Sequence, residues 1–195
     1  MKYSHHNLSP LDNRYRDKVS DITECFSESA LIKVRFVIEI EWLIFLCTNY
    51  PKKFKPLSKA SISKLKKFKT NFSDKDVIRI KNIEKKTNHD VKAVEVYIVK
   101  QLDSVGLSKL SEFVHICCTS EDINNLSYAL MVERYRTECL LPNLKSLNKE
   151  INKMAIKWAN ISMLSFTHGQ KASPTSCLLY TSPSPRDQRG SGDPA

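Results

Sequence analysis

Three short segments concentrate the residue types that move protons and hold anions. They are Lys86-Thr87-Asn88-His89-Asp90, Cys118-Thr119-Ser120-Glu121-Asp122-Ile123-Asn124-Asn125 and Ser165-Phe166-Thr167-His168-Gly169-Gln170. Each places hydroxyl, amide, carboxylate or imidazole groups where a helix begins or ends. A helix N-terminus presents N–H groups without internal acceptors and binds carboxylate or phosphate. A histidine there exchanges a proton near neutral pH. The same residues also read as helix caps: Thr87, Asn88 or Ser120 as the cap, with Asp90 or Asp122 in support. Taken by itself, His168 reads first as an ordinary loop histidine. A fourth group, Asp12, Arg14 and Tyr15, follows Pro10. It reads either as a turn with a salt bridge or as an arginine placed to hold an oxyanion by a bidentate contact.

Other chemistries find less support. His115-x-Cys117-Cys118 offers soft metal ligands, but no second pair follows at zinc-finger spacing, and the segment reads as helix with packed thiols. Neither GxGxxG nor GxxxxGK[ST] occurs, and GxSxG is also absent. No metal site is predicted.

The elements that must position these residues read as helices. Glycine is scarce, with four in 195 residues, and long stretches lack both glycine and proline. In 142–160 the apolar residues Leu144, Leu147, Ile151, Met154, Ala155 and Trp158 recur three and four apart, one face of an amphipathic helix with Pro142 in its first turn. Ile123, Leu126 and Leu130 mark the preceding helix. Val91, Val94 and Ile98 mark another, with Asp90 near its start, where the helix dipole favours an anion. Segments 29–48 and 73–86 also read as helices. No run of alternating strand residues stands out, so the predicted fold is mainly α.

Composition narrows the classes. Apolar residues are 41% and charged residues 27%, enough for a core. The most apolar segment, 30–47, is interrupted by Lys33, Arg35, Glu39 and Glu41, so no membrane span is predicted. The first fifteen residues hold no apolar signal core. Cys25, Cys47 and Cys139 lie in helical patterns, Cys117 and Cys118 are adjacent, and reduced thiols in the cytosol are predicted. The net charge is +10, yet segment 51–69 alone carries eight lysines and no acid. Such a run reads as a solvated helix face or as a patch for an anionic surface.

From Cys177 onward the periodicity stops, and CLLYTSPSPRDQRGSGDPA is rich in Pro, Ser and Gly. This reads as a disordered tail. CLLYTSPSPRD also resembles a translated frame of a common transposase-type sequencing adapter. On that resemblance 177–195 is non-native, and the natural sequence runs on differently beyond Ser176.

The combination of motifs resembles the N-terminal part of the adenylosuccinate lyase family, within the fumarase/aspartase superfamily. The matching stretches are LSPLDNRY at 8–15, TNHDVKAVE at 87–95, CTSEDINN at 118–125 and THGQ at 167–170, with FSESALIKVRFVIEIEWL between the first two. The resemblance implies a helical-bundle homotetramer, cytoplasmic, acting on nucleotide substrates without metal or organic cofactor, membrane or nucleic acid. It implies an N-terminal helical domain over 1–110 and the start of a central bundle over 111–176. It implies β-elimination of fumarate from adenylosuccinate and from the succinyl-carboxamide ribotide of purine synthesis. By motif, His168 would be the general acid and His89 would orient the substrate, with Asn88 and Asp90 completing that contact. Thr119 and Ser120 would bind a succinyl carboxylate, and Arg14 and Tyr15 the phosphate or ribose side. The family more often has Arg at the position of Phe166 and Pro at that of Lys171. Its SSxMPxKxN loop, which carries the serine taken as general base, does not occur in this sequence, so the chain by itself is expected to be inactive. Two other readings stand beside this one: another fumarate-releasing lyase, chiefly of argininosuccinate, and a basic helical module that binds nucleic acid through Lys52–Lys69.

Overall fold

The computed structural model describes residues 9–12 and 14–176. His5, His6, Leu8, Asn13 and the adapter-like segment 177–195, Cys177 included, lie outside the described residues. Among the described residues seven α-helices follow one another: α1 (Ser20–Phe26), α2 (Glu28–Asn49), α3 (Lys59–Thr70), α4 (Asp74–Thr87), α5 (Asp90–Ser104), α6 (Ser120–Tyr135) and α7 (Leu141–Lys157). Helix is the rule, as the sequence predicts. The additions are two antiparallel pairs of two residues each: β1 (Ser162–Met163) with β4 (Thr175–Ser176), and β2 (Phe166–Thr167) with β3 (Gln170–Lys171). Among the described residues no helix is long and apolar enough to cross a membrane. The chain forms two compact units, residues 1–139 and 140–195.

In the first unit α2 is the central element. Ser27 caps it by accepting the Ala30 N–H at 3.2 Å. It ends at Tyr50, which precedes Pro51 and leaves the helical region (φ −125°, ψ 54°), as a residue before proline is pushed to do. Between these ends lies no glycine or proline. Phe36, Ile40, Leu43 and Cys47, three or four apart on one face, meet Leu65 of α3, Ile80 of α4 and Val94, Ile98 and Leu102 of α5, all buried. The lysine-rich segment thus contributes a core residue, Leu65, from an otherwise basic helix. Lys69 pairs with Glu41 of α2, and Lys64 donates to the Val105 carbonyl.

The helix starts obey local chemistry. Ser73 and Asp76 form a capping box at α4. Asp76 also accepts the Tyr97 hydroxyl at 2.6 Å, and Gln101 donates to the same hydroxyl at 2.8 Å, tying α4 to α5. Burial and then the Asp76 bond push the Tyr97 phenol up to about 12.

Helix α6 runs into a π-helical stretch, Arg136–Leu140, that ends two residues before Pro142. Proline has no N–H to bond the carbonyl four residues back, and its ring crowds that carbonyl, so the helix widens there. In the second unit, Leu144, Leu147, Ile151 and Met154 of α7 are exposed, so its apolar stripe faces outward.

Leu43 is fully buried at the centre of the first unit. Leu43→Ala is therefore expected to destabilise it by about 2–5 kcal/mol, read as a lower urea midpoint at unchanged m-value.

Candidate active site

Asn88 ends α4 in the left-handed region (φ 50°, ψ 32°), and its N–H bonds the Glu84 carbonyl at 2.8 Å. Asparagine tolerates this conformation better than most residues. The turn delivers His89 as the N-cap of α5, where Nδ1 accepts the Lys92 N–H at 3.2 Å. That bond leaves the imidazole proton on Nε2, a donor on a half-exposed ring. Asp90, at the first position of α5, accepts the Val91 N–H at 2.8 Å and pairs with Arg35 at 2.7 Å. Burial opposes ionisation of Asp90, but the Val91 N–H and the Arg35 charge outweigh it and hold the carboxyl below the ordinary range.

Thr119 is the N-cap of α6 in a second capping box. Its hydroxyl accepts the Asp122 N–H at 3.3 Å, and its own N–H donates to Asp122 Oδ2 at 2.7 Å. The cap is thus Thr119 and not the Ser120 expected from the sequence, while Asp122 supports it as expected. Ser120 opens the helix, and its N–H and that of Glu121 lie in the first turn, where the helix itself offers no acceptor. Bonds from the Thr119 backbone and side chain hold the Asp122 carboxyl below its usual range.

One arginine links the two helix starts. Arg35 of α2 is 4% exposed. Its Nη2 meets Asp90 at 2.7 Å, and its Nε donates to Asn124 Oδ1 at 2.9 Å. Four residues on, Glu39 is 1% exposed, and its Oε1 lies 2.6 Å from His115 Nδ1. Another turn on, Trp42 Nε1 donates to the Ile116 carbonyl at 2.8 Å. Residues 35, 39 and 42 thus form a polar stripe on one face of α2, at helical spacing. They reach the TNHD turn, the segment before TSED, and α6.

The 115–118 segment corrects an expectation. It is a turn, not a helix: His115 (φ 61°) and Cys117 (φ 60°) both occupy the left-handed region, an unusual backbone for side chains other than Gly, Asn or Asp. Cys117 is exposed and Cys118 half-buried. Burial, then the nearby carboxylates Glu39 and Asp122, push the Cys118 thiol up to about 11, which keeps it protonated and a poor nucleophile. His115 also approaches Glu95 at 3.8 Å, and Glu95 pairs with Lys92. Burial is the largest influence on Glu39 and raises its carboxyl above the ordinary range; the His115 bond pulls it back, and Glu95 adds to the rise. Glu39 Oε2 is buried with no hydrogen-bond partner.

Arg14 and Tyr15 lie in the turn after Pro10, exposed, with the guanidinium 5.4 Å from the Tyr15 ring centre. The contacts of Arg35 and Glu39 do not include them. His168 belongs to the second unit. It and Gly169 form the two-residue connection between β2 and β3, both with positive φ (49° and 75°), as a type I′ hairpin turn requires. The exposed imidazole therefore sits at a hairpin tip. Phe166 and Lys171 are cross-strand partners on that hairpin.

The structure joins His89, Asp90, Thr119 and Ser120 within one unit through residues that motif reading passed over. Arg35 and Glu39 were visible as charges four apart inside the most apolar helix. That spacing puts both on one face, and a charge there needs a buried partner.

A family model described as "Lyase" matches residues 13–177, and the chain belongs to that family. The match spans all three motif segments and ends where the adapter-like stretch begins. Over 170 residues the chain is 46% identical to the adenylosuccinate lyase of Haemophilus influenzae and 44% to that of Escherichia coli K12. It is 42% identical over the same length to that of Buchnera aphidicola from Schizaphis graminum. Each match takes in 86% of this chain and 37% of the relative, so the chain spans little more than a third of the length of these curated relatives.

His115→Phe leaves Glu39 buried without its partner. It is expected to cost about 3–5 kcal/mol at pH 7. Because the folded Glu39 carboxyl is raised, its neutral form is the one the fold favours, so the deficit shrinks as the pH falls and Glu39 takes up a proton. Urea unfolding of both proteins at pH 7 and in mild acid measures this.

Proposed function

We propose that the chain is the N-terminal portion of an adenylosuccinate lyase. The observation that carries the reading is the family match across TNHD, TSED and THGQ, together with the name its relatives share. The reaction is a β-elimination. A base removes the proton from the carbon next to a carboxylate, the C–N bond breaks, fumarate departs, and an acid protonates the leaving nitrogen. Adenylosuccinate gives AMP, and the succinyl-carboxamide ribotide gives the free carboxamide ribotide.

The chain's own residues meet part of that need. His89 offers an Nε2 donor beside the start of α5, suited to orient an anionic substrate with Asn88, and Asp90, held on Arg35, completes the contact by fixing that helix start. Ser120, whose N–H and that of Glu121 have no acceptor within the helix, suits a succinyl carboxylate. His168, at an exposed hairpin tip, is the general acid. Arg14 and Tyr15 contribute to the phosphate or ribose side. No residue of this sequence supplies the serine base, so the 195-residue chain is inactive by itself. The exposed apolar stripe of α7 supports the reading that it packs into a larger helical bundle. On this reading the whole protein is a cytoplasmic homotetramer that needs no cofactor.

The test is a chimera in which the matching 170 residues replace those of the H. influenzae relative. It should release fumarate from adenylosuccinate and the succinyl-carboxamide ribotide, and none from argininosuccinate. His168→Ala in the chimera should lower kcat by about 10²–10⁴-fold. A chimera that folds as a tetramer but cleaves only argininosuccinate, or nothing, overturns the proposal. Turnover by the 195-residue chain alone would show that the missing loop is not needed.

A further inference from the structure

We infer that Arg35 is the positioning residue of the site, its buried guanidinium spanning the first turns of α5 and α6 and fixing the two helix starts relative to each other. The inference deepens the lyase reading and rests on it for its consequence in catalysis; the geometry itself does not.

Three observations carry it. Arg35 is almost fully buried, yet its contacts are not to its own helix neighbours. Nη2 reaches Asp90, next to the His89 cap, and Nε reaches Asn124, in the first turns of the helix that Thr119 caps. The two partners come from segments that are 34 positions apart in sequence, and one planar group serves both. A planar fork with donors in fixed directions sets both the distance and the angle between what it holds. A lysine at 35 would keep the charge and reach one partner, but a single ammonium on a flexible stem does not impose that geometry.

The neighbours on the same face act in the same sense. Glu39 holds His115, and Trp42 holds the Ile116 carbonyl, so the left-handed turn that leads into Thr119 is fixed from α2 as well. Of these three side chains, Arg35 is the one bonded to both motifs. The Val91 N–H that Asp90 accepts orients its carboxylate toward the guanidinium. A helix start that binds a substrate carboxylate and one that presents a donor imidazole must be held at one separation for both to act on one molecule.

The experiment has two arms. In the first, the amide resonances of the 195-residue chain are followed by NMR in Asp90→Asn and Asn124→Ala. Asp90→Asn is expected to shift the Ser120–Ile123 amides on α6, and Asn124→Ala the Asp90–Lys92 amides on α5. In Arg35→Lys both transmitted shifts should vanish while the local ones persist. Shifts confined to the mutated helix in the Arg35 chain, or transmission that survives in Arg35→Lys, overturn the proposal. Should Arg35→Lys fail to fold, the two single variants still decide it. In the second arm, Arg35→Lys in the chimera is expected to lower kcat/KM by about 10²-fold, with the tetramer and its melting profile retained. Unchanged kcat/KM overturns the catalytic consequence. A chimera already inactive with Arg35 in place would count against the lyase reading instead, and the first arm would still decide the role of Arg35.

Discussion

A guanidinium cannot remain inside a protein without partners, and Arg35 is inside this one. Its burial among α2, α5 and α6 commits the fold to supplying a carboxylate from one side and an amide oxygen from the other. Asp90 and Asn124 answer that demand, and each lies beside a capped helix start. The apolar face of α2, through Phe36, Ile40 and Leu43, fixes where the helix lies. The polar stripe beside it fixes what is held against it. Packing and site geometry thus come from two faces of one helix.

The same helix carries a second, costlier arrangement. Glu39 is buried with one oxygen on His115 and the other without a partner. Replacing such a pair with apolar residues is often no less stable. Its retention here accompanies a turn with two left-handed residues that opens directly onto Thr119. A strained turn persists only where its surroundings hold it, and here the holding groups are Glu39 and Trp42. The local expense falls on the segment from which the α6 motif starts.

Much of this was legible in the residue pattern. The apolar spacing of Val91, Val94 and Ile98 marks α5, and these residues are buried. Pro142 sits in the first turn of α7, and Asp122 supports the cap of α6, although that cap is Thr119 and not Ser120. The role of Arg35 was less legible, because a charge in an apolar helix announces that it needs a partner without saying where the partner lies in sequence. The 115–118 turn was missed because neither His nor Cys signals positive φ as Gly or Asn does, and the turn is imposed by tertiary contacts. The hairpin at His168 was missed because two-residue strands carry no alternation to detect, although His-Gly at its tip is compatible with the required φ values.

Arg35 holds the two helix starts only if they share the fate of α2. Native-state hydrogen exchange on the 195-residue chain measures this directly. If α2 holds them, the Lys92 and Ala93 amides of α5 and the Asp122 and Ile123 amides of α6 exchange with the same opening free energy as those of Ile40 and Leu43. If instead they exchange through local fraying while the α2 amides stay protected, Arg35 is a buried charge that happens to lie between two independent helix ends, and the central claim is wrong.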